Sequence, residues 1–422
     1  MTSRERILAA VEHRQPDRVP VDLGSTPSSG ISATAYERLR RHLGRTDGAT
    51  LVYDVVQQLA QPEPWALDEL RVDVVDLGRT FNTAAADWYS VTLASGDAAK
   101  YPAWFRPEQE PDGSWLARHE DGTVIARQPV GAAFYDQTCF PWVDGWPDDL
   151  TGLDDAMGKV LWSALVHSPW DNASQPDFWQ RLREHAIELR RTDDRAIMVV
   201  VGCNLFEWGT FLRRIDSFLM DLLLEPARVE ALLEALMERH LATLEKVCEA
   251  VGDVADIIRF GDDLGTDQGP FMRPDLYRTL FKPRHRILCD FVRAHSAMHT
   301  FLHSCGSIDL LMPDLIDAGF EILNPVQTNA RGMEPQRLKR EFGADVAFWG
   351  GGVDTRAVLN AGTPAEVRSQ VLERLEVFAP GGGYVFNTVH NILPDVPPQN
   401  IVAMYAAVDE FNGVRPDAGR PK

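Results

Sequence analysis

Short apolar runs alternate with stretches of helical period along most of this chain. The runs lie at 19–23, 72–77, 196–202, 255–260, 299–303, 322–326, 346–349 and 383–386. Their length suits strands buried on both faces. Between them, residues 211–223, 226–251, 274–295, 308–318, 335–341 and 364–378 carry apolar positions at three- and four-residue spacing. Strand alternating with helix predicts a parallel sheet of the α/β class. Eight such units favour closure into a (β/α)₈ TIM barrel over an open sheet.

Two segments stand outside the alternation. At the start, Thr2 and Glu5 have capping-box spacing, and Ile7, Leu8 and Val11 share a face. A helix is expected there, ending before Gln15-Pro16. Residues 80–150 are rich in aromatic residues, proline and glycine, with Asp112-Gly113 and Asp121-Gly122 between apolar stretches at 115–118 and 123–126. That pattern predicts an antiparallel β segment inserted after the second strand, where it could cover a site at the strand tops. With no repeat or long linker, residues 1–422 read as one barrel domain with an insertion at approximately 80–150, and the tail after Gly413 is expected to fray.

At 422 residues the chain is long for one domain, but barrels with insertions reach this size. A net charge of −20 argues against nucleic acid and anionic membranes as partners. Five scattered cysteines give no disulfide framework, which makes a reducing cytoplasm the default. No apolar run reaches about 18 residues, and the first residues lack a signal-peptide core.

The chemistry concentrates where strands give way to loops. His303 and Cys305 stand two apart at the end of the fifth run, just before Gly306. Alternation turns both to one side, and imidazole nitrogen with thiolate sulfur suits zinc. The competing reading is a core histidine beside a small buried cysteine. A catalytic zinc takes three protein ligands and keeps one open position. His390, after the last run, and Glu207, after the third, are the candidates to complete it. His390 could instead contact substrate, and Glu207 could serve only as a helix N-terminal carboxylate. Asp262 and Asp263 follow the fourth run as adjacent carboxylates. One could act as acid or base or orient a ligand histidine, or the pair could merely cap a helix or turn. Asn324, Gln327, Asp354 and Asp22, also at strand ends, are weaker candidates for substrate contact. Gly381-Gly382-Gly383 precedes a strand, the wrong order for a dinucleotide fingerprint. The aromatic residues of the insertion read as packing.

With these residues in place, the chain resembles the uroporphyrinogen decarboxylase superfamily over nearly its whole length outside the insertion. The resemblance rests on residues 3–20, Phe206-Glu207-Trp208, residues 261–265 and 269–272, and Tyr277. It continues through His303-Ser304-Cys305-Gly306, residues 352–355 and residues 394–400. It implies a (β/α)₈ barrel, often dimeric, and one of two chemistries. True decarboxylases carry an N-terminal arginine-rich loop, whereas residues 23–30 here contain no arginine. The methyltransferase branch binds zinc through a His-x-Cys pair and a later cysteine. His303 and Cys305 match the pair. The later position is His390, a histidine that also resembles the decarboxylases. The resemblance thus implies a zinc-dependent methyltransferase or demethylase acting between a small molecule and a corrinoid (cobalamin) on a separate carrier protein. Asp263 or Glu207 would handle the proton. The alternatives are a metal-free, decarboxylase-like lyase using Asp262 or Asp263 with His390 on a cyclic or acidic substrate, and a non-catalytic small-molecule-binding barrel.

Overall fold

Seven parallel strands form one curved sheet in the computed structural model, which describes residues 1–414. In chain order they are Val74–Asp76, Ala196–Gly202, Ile257–Gly261, His299–His303, Ile322–Asn324, Ala347–Trp349 and Tyr384–Val385, and their spatial order follows the chain. Each falls in one of the expected apolar runs, except that Ile257–Gly261 extends one residue past 255–260. The remaining run, 19–23, is reduced to a bridge but still closes the barrel. Val21 pairs with Phe386 in parallel. The Asp22 N–H donates to the Phe386 carbonyl (2.9 Å), and the Phe386 N–H donates to the Pro20 carbonyl (2.9 Å). On the other side, the Asp73 N–H donates to the Val21 carbonyl (2.8 Å). Pro20 has no N–H to give, which limits the ladder this segment can form. The expected fraying after Gly413 concerns a tail that, from residue 415, lies outside the described residues.

The barrel interior is a dry cluster of Val74, Met198, Ile257, Phe301, Ile322, Trp349 and their neighbours, joined by Ile7, Ala10 and Val11 of the first helix. That helix, Ser3–Val11, has the Thr2–Glu5 capping box read from the sequence. It sits across the N-terminal ends of the strands: the Arg4 N–H donates to the Asp194 carbonyl, and the Gly383 N–H to the Ala10 carbonyl. One end of the barrel is therefore plugged, and a ligand can enter only at the other.

Three expected helices are altered. Residues 211–223 fall in two helices, Phe206–Arg213 and Ile215–Leu224, separated by Arg214 at φ 65°. Residues 274–295 divide into Pro274–Leu280 and Lys282–His295, and 308–318 shortens to Met312–Ala318. Among the described residues no helix is long and apolar enough to cross a membrane.

The insertion is antiparallel, as its turns suggested. Trp88–Thr92 pairs with Ala98–Pro102, and Glu108–Gln109, Trp115–Arg118, Val124–Gln128 and Asp136–Gln137 form a meander. Gly113 and Gly122 both take φ 88°, the left-handed geometry these turns require. A further three-stranded sheet, Ile31–Ser32, Leu59–Ala60 and Val52–Asp54, precedes the second barrel strand and was not anticipated. The insertion leans on this segment. The Tyr135 N–H donates to the Val56 carbonyl (3.0 Å), and the Tyr101 hydroxyl donates to Gln58 Oε1 (2.6 Å).

Candidate active site

The open end of the barrel holds a cavity of about 460 Å³. No residue of 80–150 lines it, contrary to the expectation that the insertion covers the site. Its hydrogen bonds reach residues 50–58, behind the 54–57 wall, and also Ser168, Asp171 and the helix Phe206–Arg213. The rest of the outer wall comes from residues 157–170, including Trp162, His167 and Trp170.

His303 ends its strand in register with Asn324 on the next. Asn324 Nδ2 donates to the Trp349 carbonyl (2.9 Å), which turns its Oδ1 toward His303 Nδ1 at 2.6 Å. An amide oxygen only accepts, so His303 carries its proton on Nδ1. Nε2 is left bare, 3.3 Å from Cys305 Sγ. The loop bearing Cys305 is held from both sides. Asp263 Oδ1 accepts the Cys305 N–H (2.8 Å), and Gln327 Oε1 accepts the Gly306 N–H (2.9 Å). His390 arrives from after the last strand with φ 67°, a backbone geometry uncommon for a non-glycine residue. Its ring centre lies 5.3 Å from that of His303.

His303, Cys305 and His390 thus offer three ligand atoms within 4.8 Å of one another. Zinc bonds of about 2.0–2.3 Å to nitrogen and sulfur put neighbouring tetrahedral ligands roughly 3.3–3.8 Å apart. The His303–Cys305 separation already meets that spacing, while the trio as a whole would have to tighten by up to about 1 Å. The donor set fits zinc. His390 fits less cleanly, because its Nδ1 accepts the Asn391 N–H (2.9 Å) and the ring proton then sits on Nε2. Its ring must turn to offer a bare nitrogen.

Electrostatics favour neutral groups here. Burial, then the nearby Arg259 cation, lowers His303 to about 3. Burial and the neighbouring His303 also lower His390. Burial and the adjoining carboxylates of Asp263 and Glu207 push the Cys305 thiol well up. Burial and the two aspartates do the same to the Glu207 carboxyl. A thiol held this high becomes a ligand only when a cation replaces its proton.

The remaining candidates divide. Glu207 and Asp263 line the cavity. Asp262 does not: Oδ2 accepts the Phe206 N–H (3.0 Å) and Oδ1 the Glu207 N–H (2.9 Å), so it caps the helix Phe206–Arg213 from 55 residues away. Asn324 acts on His303 rather than facing the cavity. Gln327 ties Gly306 to Asp267. Asp354 accepts the N–H groups of Arg356 and Ala357 in its own turn. Asp22 is fully buried and accepts the Trp349 indole N–H (2.8 Å). Sequence reasoning missed Arg259, which lines the cavity from the middle of its strand.

Comparison with known proteins agrees with this architecture. Residues 205–411 match the family model for uroporphyrinogen decarboxylase (URO-D). The methylcobamide:CoM methyltransferase MtaA of Methanosarcina barkeri is 26% identical over 324 residues, covering 72% of this chain and 88% of that protein. The uroporphyrinogen decarboxylase of Pseudoalteromonas translucida (strain TAC 125) is 42% identical, but over 74 residues, 18% of this chain and 20% of the decarboxylase. A methyltransferase from Methanosarcina mazei superposes with a TM-score of 0.58 at 20% identity, covering 97% of this chain and 99% of that one, which supports the fold. The barrel and its strand-end site accompany the family match: residues 205–411 carry a uroporphyrinogen decarboxylase (URO-D) family domain.

Proposed function

We propose that this protein catalyses zinc-dependent methyl transfer between a small-molecule substrate and a corrinoid held by a separate carrier protein. The observation that carries the reading is the 3.3 Å approach of bare His303 Nε2 to Cys305 Sγ, with His390 alongside. The similarity to a methylcobamide:CoM methyltransferase, which runs along most of both chains, supports the same reading. Zinc bound there would stabilise an anionic sulfur or oxygen on the substrate at neutral pH. Around it, Asn324 fixes the His303 tautomer and Asp263 holds the Cys305 backbone. Glu207, its carboxyl pushed up by burial, is suited to hold or release a proton within the cavity. The carrier would dock over the open mouth.

The test is metal content by plasma mass spectrometry, with His303→Ala and Cys305→Ser alongside. About one zinc per chain, lost in both variants, is the expected result. Protein offered zinc and still free of it would end this reading. The second reading would then apply: a metal-free, decarboxylase-like lyase acting on a cyclic or acidic substrate. The Asn391 N–H on His390 Nδ1 favours that alternative, since it leaves an Nε2–H to donate to a substrate.

A further inference from the structure

Among the described residues no carboxylate reaches Arg259 at ion-pair distance, although the charges of Glu207 and Asp263 are felt there. Arg259 sits between Ile257 and Gly261 on one strand, and Ile257 belongs to the dry barrel interior. Alternation aims Arg259 inward as well, one layer nearer the mouth, where it lines the cavity with His303, His390 and Glu207. Its one hydrogen bond is a long contact from Nη2 to Ser28 Oγ (3.3 Å). Its Nε is buried and has no partner. Among the described residues it forms no ion pair, whereas the buried Arg6, for instance, reaches Asp73 at 2.6 Å.

The fold keeps space for this side chain. A Cβ on Gly261 would lie 2.9 Å from Arg259 Nη1 and 3.1 Å from Asn204 Nδ2. Any larger residue there would press the guanidinium out of place. A buried guanidinium N–H without a partner is unfavourable unless a ligand completes it. The planar fork of N–H groups matches a carboxylate or sulfonate. Trp162, Trp208 and Phe211 give the same cavity an apolar wall, with Trp208 and Phe211 edge to face at 5.9 Å.

We propose that Arg259 anchors an anionic group, a carboxylate or sulfonate, on an organic substrate whose apolar body lies against Trp162, Trp208 and Phe211. Its role as anchor for the methyl-transfer substrate rests on the reading given above. Anion binding itself needs no metal, so the two ideas can fail separately. Arg259, His303 and His390 line the same cavity, so an acid held at Arg259 lies in the chamber that holds the histidines.

Isothermal titration of chelator-treated protein tests this with 3-phenylpropionate and its uncharged counterpart 3-phenylpropanol. Inorganic phosphate serves as a third probe. The acid is expected to bind the natural protein at least tenfold more tightly than the alcohol, as a charge-assisted fork implies. Arg259→Gln is expected to abolish that preference while leaving alcohol binding within about twofold, and Arg259→Lys to keep part of it. Equal binding of acid and alcohol to the natural protein overturns the proposal even if the variants do not fold. So does an acid preference that survives Arg259→Gln, phosphate bound as tightly as the organic acid, or no saturable binding of the acid. Because the protein is stripped of metal, none of these outcomes depends on zinc.

Discussion

Asn324 Oδ1 lies 2.6 Å from His303 Nδ1, and the Trp349 carbonyl on the far side of the amide decides which way that amide faces. Three adjacent strands thereby set the tautomer of one imidazole. The arrangement makes a prediction for metal affinity. Asn324→Leu removes the acceptor and frees the ring, and zinc affinity should fall about 10–100-fold, the usual cost of losing such a partner. Asn324→Asp keeps an acceptor and should stay within a few-fold of the natural protein. Competition against a chelating chromophore measures both. Unchanged affinity in Asn324→Leu would show that the amide does not hold a ligand.

The loop carrying Cys305 depends on a backbone contact that no side chain permits. Gly306 takes φ 87°, and a Cβ there would fall 2.3 Å from the Gly265 carbonyl carbon. Gly265 is equally confined, its own Cβ position lying 2.7 Å from the Cys305 carbonyl oxygen. Gly306→Ala must therefore push apart the two loops that present Asp263 and Cys305. The expected result is a loss of about 1–3 kcal/mol in stability, read by urea unfolding, together with weakened zinc binding. A variant as stable as the natural protein, with full zinc content, would mean the loops part without consequence.

What the sequence discloses follows the range of the interactions concerned. All eight barrel runs were legible because strands buried on both faces are continuously apolar, a local property. The pairing at Val21 shrank to a bridge because Pro20 cannot donate, and the proline was visible. The sheet formed by Ile31–Ser32, Val52–Asp54 and Leu59–Ala60 was not, since strands of two or three residues are too short to show a period. The His303–Cys305 pair was legible from its spacing. A cap was one of the readings open for Asp262, but which helix it caps was not legible, because its partners lie at 205–207 and only the fold brings them near. Arg259 was passed over as a charge within an apolar run. A charged residue two positions before a glycine at a barrel strand's end was the available signal, since such a strand offers no solvent on either face.

Asp262 makes a second prediction, on stability. It is fully buried and accepts backbone N–H groups from Leu205, Phe206 and Glu207, with His285 Nε2 3.4 Å away. Removing it leaves the first turn of the helix Phe206–Arg213 without acceptors in a dry setting. Asp262→Ala should cost about 3–5 kcal/mol, more than an ordinary helix cap, because several buried donors lose their partner at once. Asp262→Asn should cost less, as it keeps one oxygen. Chemical denaturation midpoints give both values. A loss under about 1 kcal/mol in the alanine variant would imply that water replaces the carboxylate.

Asp76 predicts how stability changes with pH. It ends its strand 5% exposed, with Oδ1 accepting the Gly78 N–H at 2.9 Å. Burial raises its carboxyl to about 6, against about 3.9 in an unfolded chain. Between roughly pH 4 and 6 the folded form holds a proton that the unfolded form has released, so this group's contribution falls as pH rises through that window. Above pH 6 the full penalty applies, up to about 3 kcal/mol. Asp76→Asn keeps the acceptor for Gly78 and cannot ionise. At pH 7.5 its urea midpoint should therefore exceed that of the natural protein, and the advantage should shrink toward zero by pH 4. An advantage equal at both pH values would trace to packing rather than charge, and a deficit at pH 7.5 would show that the ionised carboxylate is held by the fold rather than tolerated by it.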